Sequence, residues 1–297
     1  MTDIQTHQTF LTVRELAALL RVSERKVYDL AASGQVPVSK ATGKLLFPET
    51  EVRAWLDAAR SGPAGGAAPM AERPAVFLGS HDPLLEWAIR HSGSGLATIF
   101  DASLDGLRRF QAGEGVAAGL HIHEDDGGWN RTTVAGAVGN ANAALVHWTR
   151  RERGFVARPE HAGALADIGA VARLRLAPRQ SEAGAEVLMR EVFSKAGVPN
   201  KSLRTIPAVR SEQEAVLAVL QGEADVAFGL RALAEPFGLA FHPVVEESFD
   251  ILVDRKSWFE PGLQALFDFA QSAVFRDHLS KMAGLDASDL GRVVWNA

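Results

Sequence analysis

The 297-residue chain contains no cysteine. That absence removes disulfides, thiolate nucleophiles, cysteine-ligated zinc and iron–sulfur clusters together, and it leaves oxygen and nitrogen donors to hold any ligand. Long apolar runs are missing as well. No stretch approaches the roughly 18 residues of a membrane span, and Met1–His7 lacks the basic and apolar regions of a signal peptide. The expectation is a cytoplasmic protein with no membrane partner. Positive charge is in the minority: 31 Lys and Arg against 36 Asp and Glu leave a formal net charge of -5. This excludes nonspecific coating of nucleic acid but not local, sequence-specific DNA binding. Ser80-His81-Asp82 has no Gly-x-Ser-x-Gly elbow around it, so no catalytic residue is expected.

What is present falls into two parts. Ser61-Gly62-Pro63-Ala64-Gly65-Gly66-Ala67-Ala68-Pro69 carries no helical or strand period and reads as a flexible linker. The expected division is residues 1–60, a linker over 61–74 and a larger unit over 75–297. The first 60 residues hold 8 Lys and Arg against 7 Asp and Glu, and the remainder 23 against 29. The acidity therefore belongs to the large unit.

In the small unit, Thr12-Val13-Arg14-Glu15 fits a capping box, and Val13, Leu16, Ala17, Leu19 and Leu20 form one apolar helix face. After a turn at Arg21-Val22, Ser23 caps a second helix with Val27, Leu30 and Ala31 inward and Gly34 at its end. Pro37–Phe47 reads as a hairpin with its tip at Ala41-Thr42-Gly43-Lys44, and Pro48-Glu49 opens a third helix. These are the parts of a winged helix-turn-helix. Leu11–Ala17, Leu20–Ser23, Val27-Tyr28, Gly34–Pro37 and Glu51–Leu56 resemble the excisionase and MerR-like DNA-binding domains. The resemblance implies that the second helix enters the major groove and the wing touches phosphate. Arg25 and Lys26 are then the candidates for base edges, and Ser23, Tyr28, Lys40 and Lys44 for phosphate. Glu24 and Asp29 depart from that family's basic pattern. A small helical interaction module is the alternative.

The large unit alternates apolar runs with helix-period segments. Ala75–Gly79, Leu96–Phe100, Val116–Leu120, Ala144–Trp148, Arg173–Leu176 and Ala224–Gly229 read as strands; Leu84–Ile89, Ser103–Phe110, Ala185–Lys195 and Ser211–Gln221 read as helices. The fold class is α/β with a mostly parallel sheet or pair of sheets, and ligands in that class sit beyond strand carboxyl ends. Polar residues at those ends are Ser80, His81, Asp82, Ser103, His121, His123, Arg179, Gln180, Ser181 and Arg231. Gly79–Leu85, Ser103–Leu107, Gly119–His121, Arg179-Gln180 with Gly184, Ala224–Gly229 and Val245–Asp250 resemble the periplasmic-binding-protein-like domains fused to helix-turn-helix regulators, some attached to molybdopterin-biosynthesis proteins. The resemblance implies a two-lobed domain of the type II binding-protein fold, with crossings near 145–153 and 242–252. Its implied ligand is molybdate or tungstate, held by Ser80, Ser103, Arg179 and the amides around Ser181–Gly184, with His81, Asp82, His121, Gln180 and Arg231 also at the site. The turn Ser181-Glu182-Ala183-Gly184-Ala185-Glu186 carries two carboxylates where that family has serine or glycine, which keeps open a small carboxylate or a molybdenum-cofactor-related ligand.

His121-Ile122-His123 with Glu124-Asp125-Asp126 suits either a divalent metal or a strand end followed by an acidic turn. The second is the simpler, and no metal or other cofactor is expected. Arg150-Arg151-Glu152-Arg153 reads as a solvated strand end, with anion binding as the alternative; Trp87, Trp148, Phe193, Phe228 and Phe267 read as core. Together these features point to a one-component transcriptional regulator, a homodimer or higher homo-oligomer that binds double-stranded DNA and a small anion. A small-molecule enzyme or a ligand-storage protein with a helical appendage are the alternatives from other classes.

Overall fold

The computed structural model describes residues 10–40, 43–58 and 72–297. Residues 41–42 of the hairpin tip and 61–71 of the linker lie outside them. The chain forms two compact units, Met1–Ala71 and Glu72–Ala297. No described helix is long and apolar enough to cross a membrane.

In the first unit, β1 (Phe10–Leu11) leads into α1 (Val13–Leu20). The amide of Glu15 donates to the Thr12 hydroxyl while the Glu15 carboxylate accepts from the Thr12 amide, so the capping box forms from both sides. Arg21 closes the helix in the left-handed region at φ 53°. The amide of Lys26 donates to Ser23, which starts α2 (Glu24–Ala32), and Gly34 turns the chain at φ 68°. Ser39 and Leu46 bridge the two arms of the hairpin. The arm continues into β2 (Phe47–Pro48), which pairs antiparallel with β1 before α3 (Glu49–Ala58). Leu16, Val27, Phe47 and Val52 are fully buried between these elements, each contributing about 1.5–3 kcal/mol.

The second unit is built on one ten-stranded sheet. Its elements in chain order are β3 (Val76–Ser80), α4 (Pro83–His91), β4 (Ala97–Asp101), α5 (Ser103–Gln111), β5 (Ala117–Leu120), α6 (Arg131–Val138), β6 (Ala143–Ala157), α7 (Ile168–Val171), β7 (Arg175–Ala177), α8 (Gly184–Lys195), β8 (Arg204–Thr205), α9 (Glu212–Leu220), β9 (Val226–Leu230) and α10 (Arg231–Ala234). The chain returns through β10 (Ala240–Asp254) to α11 (Arg255–Trp258), α12 (Pro261–Ala270), α13 (Ala273–Leu279), β11 (Leu285–Asp286) and β12 (Val293–Asn296).

The strand order is β4-β3-β5-β10-β6-β9-β7-β8. The outer strands run parallel within each lobe, β4-β3-β5 in lobe one and β9-β7-β8 in lobe two. The two central strands break that pattern. β6 and β10, each 15 residues long, pair antiparallel with one another and with β9 and β5. The sheet is therefore mixed where a mostly parallel one was expected. The reason is that β6 leaves lobe one and β10 returns to it, so the two crossings necessarily run in opposite directions. At about 3.4 Å per residue each strand is roughly 50 Å long, enough to pass through both lobes. Trp148, Phe249, Ile251 and Leu266 are buried in the larger core of lobe one, and Phe155, Leu176, Phe193 and Val226 in that of lobe two.

Candidate functional site

Three glycines set the first wall of the site. Gly79 has φ 89°, a conformation that a β-carbon disfavours, and an added β-carbon would collide with the carbonyl oxygen of Gly119 and lie 3.1 Å from its amide nitrogen. One on Gly106 would collide with the Cα of Gly79 and lie 2.7 Å from its amide nitrogen. With no side chains between them, the start of α5 rests directly on the ends of β3 and β5. Ser80 and Ser103 consequently meet hydroxyl to hydroxyl at 2.8 Å, and the amide of His121 donates to Ser103 at 3.0 Å. Beside them the His81 imidazole lies 2.8 Å from the Glu86 carboxylate and edge-on to Phe100 at 5.4 Å.

Lobe two supplies the facing wall. The loop after β7 carries Arg179, whose Nη2 donates to the carbonyl of Arg210 at 2.9 Å and whose Nη1 is 3.4 Å from Glu212. Its Nε is buried with no acceptor among the described residues. Two helices begin here. α8 starts at Gly184 after Ala183, and α9 starts at Glu212 after Ser211, which caps it by accepting from the amide of Glu214. First-turn amides have no intrahelical acceptor and carry the positive end of the helix dipole. The cleft between the walls has a volume of about 210 Å³ and is lined by Ser80, His81, Glu86, Phe100, Asp101, Ala102 and His121 from lobe one, and by Arg179, Ala183–Ala185 and Arg210–Gln213 from lobe two. That is below the usual range for drug-sized ligands and suits a small one.

Beneath the cleft runs a buried chain of alternating charge. Asp82 caps α4 by accepting from the amide of Leu85, and accepts from Arg151 at 2.9 Å. Arg151 also donates to Glu247. Arg153 donates to Glu247 through Nε at 2.8 Å and to both oxygens of Glu212 at 3.0 and 3.1 Å. Arg151, Arg153, Glu247 and Asp82 are all fully buried. The Arg150–Arg153 segment is thus a structural element and not a solvated strand end. Alternation along β6 turns Arg151 and Arg153 inward, while Arg150 bonds Asp286 and Glu152 bonds Arg231 toward the surface. Burial disfavours the charge on Glu247, but Arg151, Arg153 and His121 outweigh it and hold the carboxyl well below its ordinary range. Burial pushes the His121 imidazole below its ordinary value, only partly offset by Glu247 at 3.4 Å.

Of the ten ligand candidates, Ser80, His81, His121, Arg179 and Gly184 line the cleft. Gly184 sits close against His121: a β-carbon there would be 3.0 Å from its Cε1 and 3.2 Å from its carbonyl oxygen. Ser103 lies behind Ser80 and opens onto an adjoining pocket with Ile122 and Val187. The others stand off. Asp82 is consumed by the α4 cap and Arg151, because its position at the helix start directs it under the floor. The Ser181 hydroxyl bonds its neighbour Glu182, and the Gln180 carbonyl accepts from the amide of Ala183. Arg231 begins α10 directly after β9, does not line the cleft, and pairs with Glu152 and Glu235. Of the two unexpected carboxylates, Glu182 is exposed and Glu186 turns away to bond the amide of Arg179 and the side chain of Arg190. His121 and His123 do not share a partner, since His123 faces Glu191 and Trp129.

Arg210, Ser211, Gln213, Phe100 and Asp101 also line the cleft and are not among the sequence candidates. The signal for the first three is Ser211 opening a helix, with an arginine just before it. In the first unit, Ser23, Arg25, Lys26, Tyr28, Lys40 and Lys44 are all exposed, as are Glu24 and Asp29.

A helix-turn-helix domain model matches residues 10–60, and a PBP superfamily domain model matches residues 85–271. The uncharacterized protein YvgK of Bacillus subtilis (strain 168) is 25% identical over 301 residues, covering 95% of this chain and 97% of that one. Among solved structures, a putative phosphate ABC transporter substrate-binding protein from Clostridium perfringens with bound phosphate is similar at a TM-score of 0.50 and 12% identity, over 71% of this chain and 98% of that one. A peroxide-bound mutant of Corynebacterium glutamicum OxyR is similar at a TM-score of 0.50 and 10% identity, over 92% and 90%. At these identities the structural likeness is one of fold. The two-lobed unit and its matching domain model place the chain in the PBP superfamily, with a helix-turn-helix domain ahead of it.

Proposed function

We propose that the chain is a one-component transcriptional regulator that reads DNA through residues 10–58 and senses a small ligand through its anionic group in the interlobe cleft. The observation that carries this reading is the convergence of Arg179, Arg210 and the starts of α8 and α9 on one cleft, in a chain that also holds a helix-turn-helix domain. Arginine and helix-start amides are the donors an anion needs. Molybdate or tungstate is the simplest occupant, and the phosphate bound in the Clostridium protein of similar fold supports an oxyanion. One helix-turn-helix buries too little surface for a selective site, so DNA is read by a homodimer or higher homo-oligomer. Ligand controls DNA binding to the extent that it favours one lobe arrangement over another.

The test is a gel shift with the DNA upstream of the protein's own gene. Wild type is expected to retard it, and Arg25→Ala combined with Lys26→Ala to weaken binding by at least about tenfold, since each base contact is worth roughly 1–3 kcal/mol. Molybdate or phosphate at a hundredfold its Kd adds about 2.7 kcal/mol of stability to wild type, and Arg179→Ala removes that gain. No retardation with or without oxyanions overturns the regulator reading. The exposed carboxylates Glu24 and Asp29 on α2 favour one second reading, a ligand-storage protein, which intact ligand affinity without DNA affinity would identify.

A further inference from the structure

The two walls of the cleft carry opposite charge. Lobe two presents Arg179 and Arg210, and its one lining carboxylate, Glu212, is already held by both terminal nitrogens of Arg153. Arg179 lines the cleft and is nine-tenths buried, yet its Nε has no acceptor among the described residues, so lobe two keeps an arginine with an unused donor in its wall. Lobe one presents two carboxylates. Glu86 is paired with His81 and Arg90, but Asp101, exposed at the end of β4, forms no ion pair with any described residue. The Phe100 ring lines the same wall. A bare oxyanion satisfies lobe two but leaves the Asp101 carboxylate of lobe one without a partner.

We propose that the cleft selects a small bipolar ligand, with its anionic group on Arg179, Arg210 and the starts of α8 and α9, and a protonated amine on Asp101 and Phe100. The proposal rests on the reading of the cleft as the sensory site and names its ligand class. A carboxylate and an aromatic ring are the two groups that receive an ammonium. A ligand with both charges engages the charged groups of both lobes, and a ligand shifts a conformational equilibrium only through contacts that differ between the states.

Calorimetry on the full chain at neutral pH tests it with two isosteric pairs, phosphoethanolamine with propyl phosphate and 4-aminobutyrate with pentanoate, alongside inorganic phosphate and molybdate. The amine-bearing member of each pair is expected to bind at least tenfold more tightly. Asp101→Asn should erase that advantage and leave propyl phosphate binding as well as before or better, whereas Arg179→Gln should weaken both members of each pair. Asp101 is exposed, so its variant is expected to fold as wild type does. Propyl phosphate binding as tightly as phosphoethanolamine, or an unchanged ratio in Asp101→Asn, overturns the proposal. If phosphate or molybdate binds and the amines confer no gain, the bipolar ligand falls and anion sensing stands; if none of the six binds, both fall.

Discussion

Arg153→Met is expected to lower the stability of residues 72–297 by about 3–5 kcal/mol, the usual cost of removing one partner from a buried ion pair. For a unit of this size that is a fall in Tm of roughly 6–20 °C, measurable by calorimetry. Arg153 is fully buried and bonds both Glu212 and Glu247. Its loss leaves Glu247 with Arg151 and the His121 imidazole at 3.4 Å, and Glu212 with Arg179 at 3.4 Å. Adding Glu212→Gln and Glu247→Gln should restore much of the stability, because a buried ionic network contributes little net energy against a neutral replacement of similar shape. A wild-type Tm for the single variant would contradict the network.

Acid should act in the same direction. Glu247 has a folded pKa depressed below about 4.5, so its contribution is present above that pH and disappears as the pH falls through the folded value. His121, also depressed, contributes in full above about 6.5, and that contribution is lost as the pH falls from there through the folded value. In Arg153→Met one of the cations holding Glu247 is gone, so its acid limb should move to higher pH.

Gly106→Ala is expected to destabilise the same unit by about 3 kcal/mol, the upper end of ordinary overpacking costs, and to abolish any ligand response. In an open helix, alanine is favoured over glycine by about 1 kcal/mol. Here the new β-carbon would collide with the Cα of Gly79 and sit 2.7 Å from its amide nitrogen. Both are backbone atoms that cannot rotate away, so α5 must lift off β3 and separate Ser103 from Ser80. Gly136→Ala in α6 is the control, because no atom of the described residues lies within 4 Å of the added carbon; it should be neutral or slightly stabilising. Equal Tm values for the two variants would show that the close approach at Gly106 is not rigid.

Some of this is visible in the sequence, and the rest is hidden for identifiable reasons. Thr12, Ser23 and Gly34 act within three or four residues of themselves, so their helix ends can be read directly. The same holds for Ser80, His81 and His121, because the apolar runs before them place them at strand ends. Arg151 and Arg153 read as solvated because charged residues in a strand ordinarily are. Their inward position follows from the pairing of Arg151 with Glu247 across β6 and β10, a partner 96 residues away. Arg210 escapes a sequence reading for a related reason: it lines the cleft only because β7 and β9 bring α9 beside Arg179. Asp82 shows the converse error, a polar residue at the right strand end whose side chain is taken up by its own helix.

The two long strands also determine how the cleft can move. β6 and β10 pass from lobe to lobe without a loop, and their ladder is interrupted only by irregularities at Pro243/Val245 and Phe249/Asp250. The linkage is therefore a flexure and not a pivot. Any opening of the cleft would have to bend this hydrogen-bonded ribbon, and the two offsets are where its ladder is already broken. In a protein built this way, drawing the lobes together on the proposed ligand works against that ribbon, so stiffening either offset is expected to alter the amplitude of the response without touching a residue that lines the cleft.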